Sequence, residues 1–240
     1  MQFVMLLMLV AFLAGAVASV SGFGIGSLLT PLLWLHLHDA KLAVAAVSIP
    51  HLIGTAVRCW MLRADINKTV LLHFGIASAL GGLAGAMAHN LFDSLLLTRI
   101  LGVVLIAAGL VGITRVNERA LFKGPLCWVA GGLSGALGGL VGNQGGIRSA
   151  ALLSFDLSKN AMVATATAIA LCVDAARMPV YFYLQWQQLS AIWTLLALST
   201  AGVLVGTFAG RQVLAKIPDR IFKQIVSGII LLLGVWLSVQ

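Results

Sequence analysis

A single guanidinium, that of Arg148, interrupts the run LVGNQGGIRSAALL (residues 140–153), with Asn143, Gln144 and glycines at 142, 145 and 146 beside it and no acid in the run. Arginine carries a permanent charge and a planar set of N–H donors that matches the oxygens of a small oxyanion. In an apolar segment its two natural roles are anion binding and a structural ion pair, because a lone charge inside a membrane span costs about 3 kcal/mol on insertion scales and more in simulations. The candidate partner is Asp174, in ALCVDAARMPVYF (170–182), the only acid in the middle of an apolar segment. Arg177 competes for it at i, i+3 on one helix face. Arg148–Asp174 and Asp174–Arg177 pairs are both open, and Asp174 reads equally as counter-ion or proton carrier. His51, one residue after Pro50, offers a proton relay near neutral pH or a structural hydrogen bond.

The elements that must position these groups are membrane helices. The 240 residues are 60% hydrophobic and only 9% charged, where a soluble domain is charged at roughly a quarter of its positions. Apolar segments fall at about 3–34, 40–62, 69–91, 95–114, 125–154, 161–184, 189–210 and 220–238. Each is long enough to cross about 30 Å of hydrocarbon, and a lone strand cannot do so. The expected fold is therefore all-α, a polytopic membrane protein. The start, MQFVMLLMLVAFLAGAVAS, imitates a signal peptide but lacks a basic n-region and stays apolar past Ala18, so it reads as an uncleaved span.

The chain repeats itself about TRVNERALFKGP (114–125). SGFGIGSLLTPLL (21–33) aligns with VGNQGGIRSAALL (141–153), setting Gly22 on Gly142 and Gly26 on Gly146. The expectation is two four-segment repeats, residues 1–114 and 125–240, joined by a cytoplasmic linker at 115–124. The first segment of each repeat runs about 30 residues with glycines and polar groups at its middle, which is the pattern of a broken or re-entrant helix. Loop charge tests this. If those two segments return to their own side, Arg58, Arg63, Lys68, Arg115, Arg119, Lys123, Lys159, Arg211, Lys216, Arg220 and Lys223 all face the cytoplasm, while Lys41 and Arg99 lie outside. The repeats are then inverted, both termini are external, and LQWQQL (184–189) is an uncharged external loop.

Two broken segments meeting near mid-membrane aim two helix N-termini, each with unpaired N–H groups and a positive dipole end, at one point. With Arg148 added, such a point favours a small anion. The net charge of +8 belongs to this loop pattern and to an anionic leaflet rather than to nucleic acid. GFGIG (22–26) lacks the strand and ribose-binding acid of a dinucleotide site, and no cofactor or metal set is present. GGLAG (81–85) and GGLSG (131–135) read as close-packing helix surfaces. Ser21, His51 and Asp174 show no nucleophile–base or metal spacing, which argues against an intramembrane enzyme.

The paired glycine motifs, the leucine-rich run after the first, four segments per half and the chain length resemble the TauE/SafE sulfite-exporter permeases across the whole chain. SGFGIGSLLTPLL with Pro31 looks typical; the second copy departs, with Ala151 at the proline position and Asn143–Gln144 ahead of its glycines. The resemblance implies a secondary transporter in a bacterial inner membrane. Its substrates would be small sulfur-containing or organic anions such as sulfite, thiosulfate or sulfoacetate, exported at the expense of an ion gradient. It marks Ser21, Gly22, Gly24, Gly26, Asn143, Gln144, Gly145, Gly146 and Arg148, in the two motif regions, as substrate contacts; Asp174, Arg177 and His51 are coupling or ion-pair candidates from their residue types and positions alone. The remaining partner is the lipid bilayer; a homodimer and a passive anion pore stay open.

Overall fold

The computed structural model describes residues 2–114, 126–152, 155, 157–214 and 219–239. These form α1 (Gln2–Ser21), α2 (Ile25–Leu37), α3 (Ala40–Met61), α4 (Lys68–His89), α5 (Ser94–Thr114), α6 (Leu126–Val141), α7 (Gly145–Leu152), α8 (Lys159–Ala191), α9 (Trp193–Leu214) and α10 (Asp219–Ser238). One 3-10 turn, Arg63–Asp65, joins α3 to α4, and no strand occurs among the described residues. By length and composition α1, α3, α4 and residues 160–191 of α8 can each cross a membrane, and Ile25–Leu37, Ser94–Leu110, Leu126–Val141, Trp193–Ala209 and Ser227–Ser238 are shorter apolar stretches. The linker expected at 115–124 lies outside the described residues. Residues 184–189, expected as a loop, continue α8 to Ala191; only Gln185, at φ −132° and ψ 20°, leaves the helical region.

Local chemistry explains where the long helices start. The side chain of Asp39 accepts from the N–H groups of Lys41 (2.8 Å) and Leu42, Asn67 from Val70 (3.0 Å) and Ser158 from Ala161 (3.3 Å). Each supplies an acceptor for a donor that the first helical turn cannot satisfy. Helix α2 is different: Gly24 precedes it and no side chain caps it. The chain leaves the helix at Gly22–Gly24 and again at Gly142–Gln144, with Gly22 at φ 79° and Gly142 at φ 74°, where a Cβ would be strained.

The rings of Phe3 and His36 stack at 3.7 Å, bringing the start of α1 against the end of α2. Ser134 Oγ donates to the Gln144 carbonyl at 2.8 Å, which ties the second break to the middle of α6. Helix ends gather in two sets. At one end of the bundle Lys41 Nζ donates to the Asn90 carbonyl, Ser94 Oγ donates to Asp39, and Trp34 packs on Trp236. At the other, the Asn67 N–H donates to Thr165 Oγ1 and His73 packs on Trp128.

The principal packing pairs are α4 with α6, α1 with α9, α5 with α10, α4 with α8, and α3 with α8. Each joins a helix before the midpoint to one after it. Lipid tails are as apolar as leucine, so the association of such helices depends on close backbone approach through small residues. Between α4 and α6 a Cβ at Gly135 would overlap the Ser78 carbonyl oxygen, one at Gly139 the Gly82 carbonyl and one at Gly85 the Ala136 carbonyl. Ser78 Oγ adds a hydrogen bond to the Gly131 carbonyl at 2.9 Å. Both glycine pairs singled out in the sequence, 81–85 and 131–135, lie in this contact. Gly135→Ala is expected to force the two backbones apart and cost about 1–3 kcal/mol, the usual range for overpacking, read as a lower Tm of the purified protein in detergent. Large apolar side chains such as Leu6, Leu9 and Leu13 of α1 and Leu72, Ile76 and Leu80 of α4 face outward, as lipid-facing stripes do.

Candidate functional site

The two breaks meet. A Cβ at Gly26, in the first turn of α2, would overlap the carbonyl oxygen of Gly142, and one at Gly145, which opens α7, would press on the Phe23 ring. The first turns of α2 and α7 therefore lie together, each with N–H groups that have no intrahelical acceptor and each carrying about half a positive charge. Thr30 of α2 lies against Gly142, and its buried Oγ1 has no hydrogen-bond partner.

Arg148 projects from α7 into this junction and is 1% exposed. Its Nη2 donates to the Gly22 carbonyl at 3.2 Å, while Nε and Nη1 have no partner. Asn143 Nδ2 and both amide atoms of Gln144 are likewise buried without partners. Leaving a buried donor or acceptor unmade costs about 1–3 kcal/mol, more for a charged group. Polar groups buried without a partner are rare in native proteins, and each of these needs a cause.

Asp174 is not the partner of Arg148. Its Oδ1 accepts from Arg177 Nε at 3.1 Å and Nη2 at 2.8 Å, and its Oδ2 lies 2.6 Å from His51 Nδ1. A carboxylate only accepts, so the imidazole proton sits on Nδ1. Arg177 Nη1 also donates to the Gly138 carbonyl at 2.5 Å, and Tyr181 donates its hydroxyl to the Gly139 carbonyl. This cluster clamps α8 to α3 and to the last turns of α6, immediately before the second break. Of the two ion pairs left open by the sequence, the helical i, i+3 pair is the one formed.

The other expected contacts divide. Gly22, Gly26, Asn143, Gly145 and Arg148 come together at the junction, while Gly24 lies against Val17 of α1 and the Gln144 side chain lies against Gly138 of α6. Ser21 lies next to the junction, but its hydroxyl is within hydrogen-bonding distance of the Val17 (2.9 Å) and Phe23 (2.7 Å) carbonyls and serves the turn. Arg58 corrects the sequence reading: counted there among loop cations, it is buried in the last turn of α3 at 2% exposure. Its Nη2 donates to Thr55 Oγ1 at 3.0 Å, and Thr55 Oγ1 lies 3.4 Å from His51 Nδ1. The signal for it was present, since residues 51, 55 and 58 recur at i, i+4 and i+7 and share one helix face.

Lipid-length apolar helices wrapped around a buried cluster of charges and unsatisfied amides define a polytopic membrane transport protein. The chain belongs to the family described as Sulfite exporter TauE/SafE, whose profile matches residues 7–237, nearly the whole chain. No curated protein and no solved structure matches it.

Proposed function

We propose that the chain is a secondary transporter that exports a small sulfur-containing or organic oxyanion, of the sulfite, thiosulfate or sulfonate class, across the bacterial inner membrane. The anion is held between the first turns of α2 and α7 and against Arg148. The observation that carries this is the state of Arg148: a buried guanidinium with two unpartnered nitrogens, while the one buried carboxylate among the described residues is taken up by Arg177 and His51. Backbone donors at the two helix starts and the amides of Asn143 and Gln144 would complete an oxyanion shell without further charge. His51, Asp174 and Arg177 are the candidates for coupling to an ion gradient, since one buried carboxylate joins them and they link α3, α8 and α6.

In this reading residues 1–114 and 125–240 are inverted repeats with a cytoplasmic linker between them, and each opens with a re-entrant hairpin. The Phe3–His36 stack supports the first hairpin and the Ser134–Gln144 bond the second. The two sets of helix-end contacts also support it, because Lys41 falls with both termini and Lys68 falls at the opposite end. Reporter fusions after residue 240 and within 185–188 are expected to report outside, and one near residue 118 inside. A shared side for 118 and 186 would refute the inverted arrangement.

Function is tested in proteoliposomes. Sulfite flux should saturate and should respond to an imposed proton or sodium gradient. Unsaturable flux indifferent to any gradient would instead identify a passive anion pore.

A further inference from the structure

Arg58 repeats the bonding state of Arg148. Each guanidinium is buried, each gives one Nη2 bond to a neutral oxygen, and each keeps Nε and Nη1 without a partner. Arg58 stands one turn after Gly54 on the same face of α3, and a Cβ at Gly54 would lie 3.5 Å from Ile25 Cδ1 in the first turn of α2, which sets this face of α3 beside the junction. A continuous polar thread, Arg58–Thr55–His51–Asp174–Arg177, runs from α3 into α8. Within it Asp174 neutralises Arg177 through two hydrogen bonds, so the one buried acid is spent. Among the described residues Arg58 and Arg148 then have no carboxylate within hydrogen-bonding distance. The C-terminal end of α3 offsets about half a charge at Arg58, but the starts of α2 and α7 add about half a charge each of the opposite sign. A buried charge without a counter-charge costs several kcal/mol, so a net excess of two calls for two negative charges on whatever binds there.

We infer that Arg58 is a second guanidinium of the anion site, and that the site is built for a divalent oxyanion in preference to a monovalent sulfonate or carboxylate. The inference deepens the transport reading and rests on it. Thr55 and His51 then act as positioning residues, the first holding Arg58 against the α3 face and the second tying that face to Asp174.

The test compares two anions that share a sulfur–oxygen head and differ in charge: sulfite, at a pH where it is divalent, and methanesulfonate. Binding is measured on the purified full chain by calorimetry. The wild-type protein is expected to bind sulfite more tightly by at least about tenfold, and comparable affinities for the two would overturn the charge argument without any variant. Arg58→Gln should weaken sulfite by about 10- to 150-fold, the loss expected for one charged hydrogen-bonding partner. Methanesulfonate should hold in that variant, so that the preference collapses. Arg58→Lys keeps the charge and loses the planar donors; it should bind sulfite less tightly yet retain the preference, and it decides the matter if Arg58→Gln does not fold. An unchanged sulfite-to-methanesulfonate ratio in Arg58→Gln, or a sulfite affinity in Arg58→Lys equal to that of the wild type, removes Arg58 from the site. Arg148→Gln separates this failure from that of the parent reading. If Arg148→Gln loses sulfite while Arg58→Gln does not, only the two-guanidinium site falls. If Arg148→Gln binds sulfite as wild type does, or the wild-type protein binds neither anion, the transport site falls with it.

Discussion

Asp174→Asn is expected to destabilise the protein by about 3–5 kcal/mol, the cost of removing one member of a buried ion pair. The amide cannot neutralise Arg177, which is 1% exposed and has no other acid within the bundle among the described residues. It also removes one acceptor from His51 and so loosens the contact of α8 with α3. The expected readout is a large drop in Tm in detergent and a broadened gel-filtration peak. Adding Arg177→Gln should recover much of the loss, because two neutral groups of similar shape leave no orphaned charge. Combining Asp174→Asn with Arg148→Gln should bring no such recovery. A well-folded Asp174→Asn protein whose transport no longer follows pH would instead identify Asp174 as a proton carrier that the fold does not need.

Arg148→Gln should behave in the opposite way. Its Nη2 bond to the Gly22 carbonyl is the only hydrogen bond its side chain makes among the described residues, so removing the guanidinium relieves a buried charge at the loss of one link between the breaks. The variant is expected to remain folded while anion affinity falls by about 10- to 150-fold, the equivalent of roughly 1.5–3 kcal/mol for a charged hydrogen bond. Arg148→Lys keeps the charge as a compact point and should lose less. Melting temperature and anion binding, measured on the same preparations, read both effects. An unstable Arg148→Gln protein rescued by Asp174→Asn with its anion affinity intact would show that the residue is a structural partner after all.

Much of the architecture is legible along the chain because lipid imposes a simple rule. A helix must be apolar for about 20 residues, so hydropathy alone locates α3, α4, α5 and α10 to within a residue or two. Glycines and amides in the middle of an over-long segment locate the two departures from helix, because only there can the backbone leave its hydrogen-bond ladder. Arg148 is conspicuous for the same reason: charge is rare enough in such segments that one arginine needs a cause.

Partnership was not legible, since it depends on approach between helices distant in sequence. Asp174 had two arginines within reach on paper, and the choice was made by the way α8 lies against α3, which delivers His51 to the second carboxylate oxygen and leaves Arg148 to the other side of the junction. Arg58 looked like a loop cation because it stands three residues from the end of α3, where hydropathy is already falling. Only the packing of α3 at the centre of the bundle buries it. The pairing of α4 with α6 and of α1 with α9, across the midpoint of the chain, was equally hidden. Hydropathy records how much of a helix avoids water, a property of each residue alone. Which small-residue faces lie close enough for their backbones to touch is a property of pairs, and the burial of Arg58, the saturation of Asp174 and the exposure of Arg148 to the two helix starts all follow from those pairs.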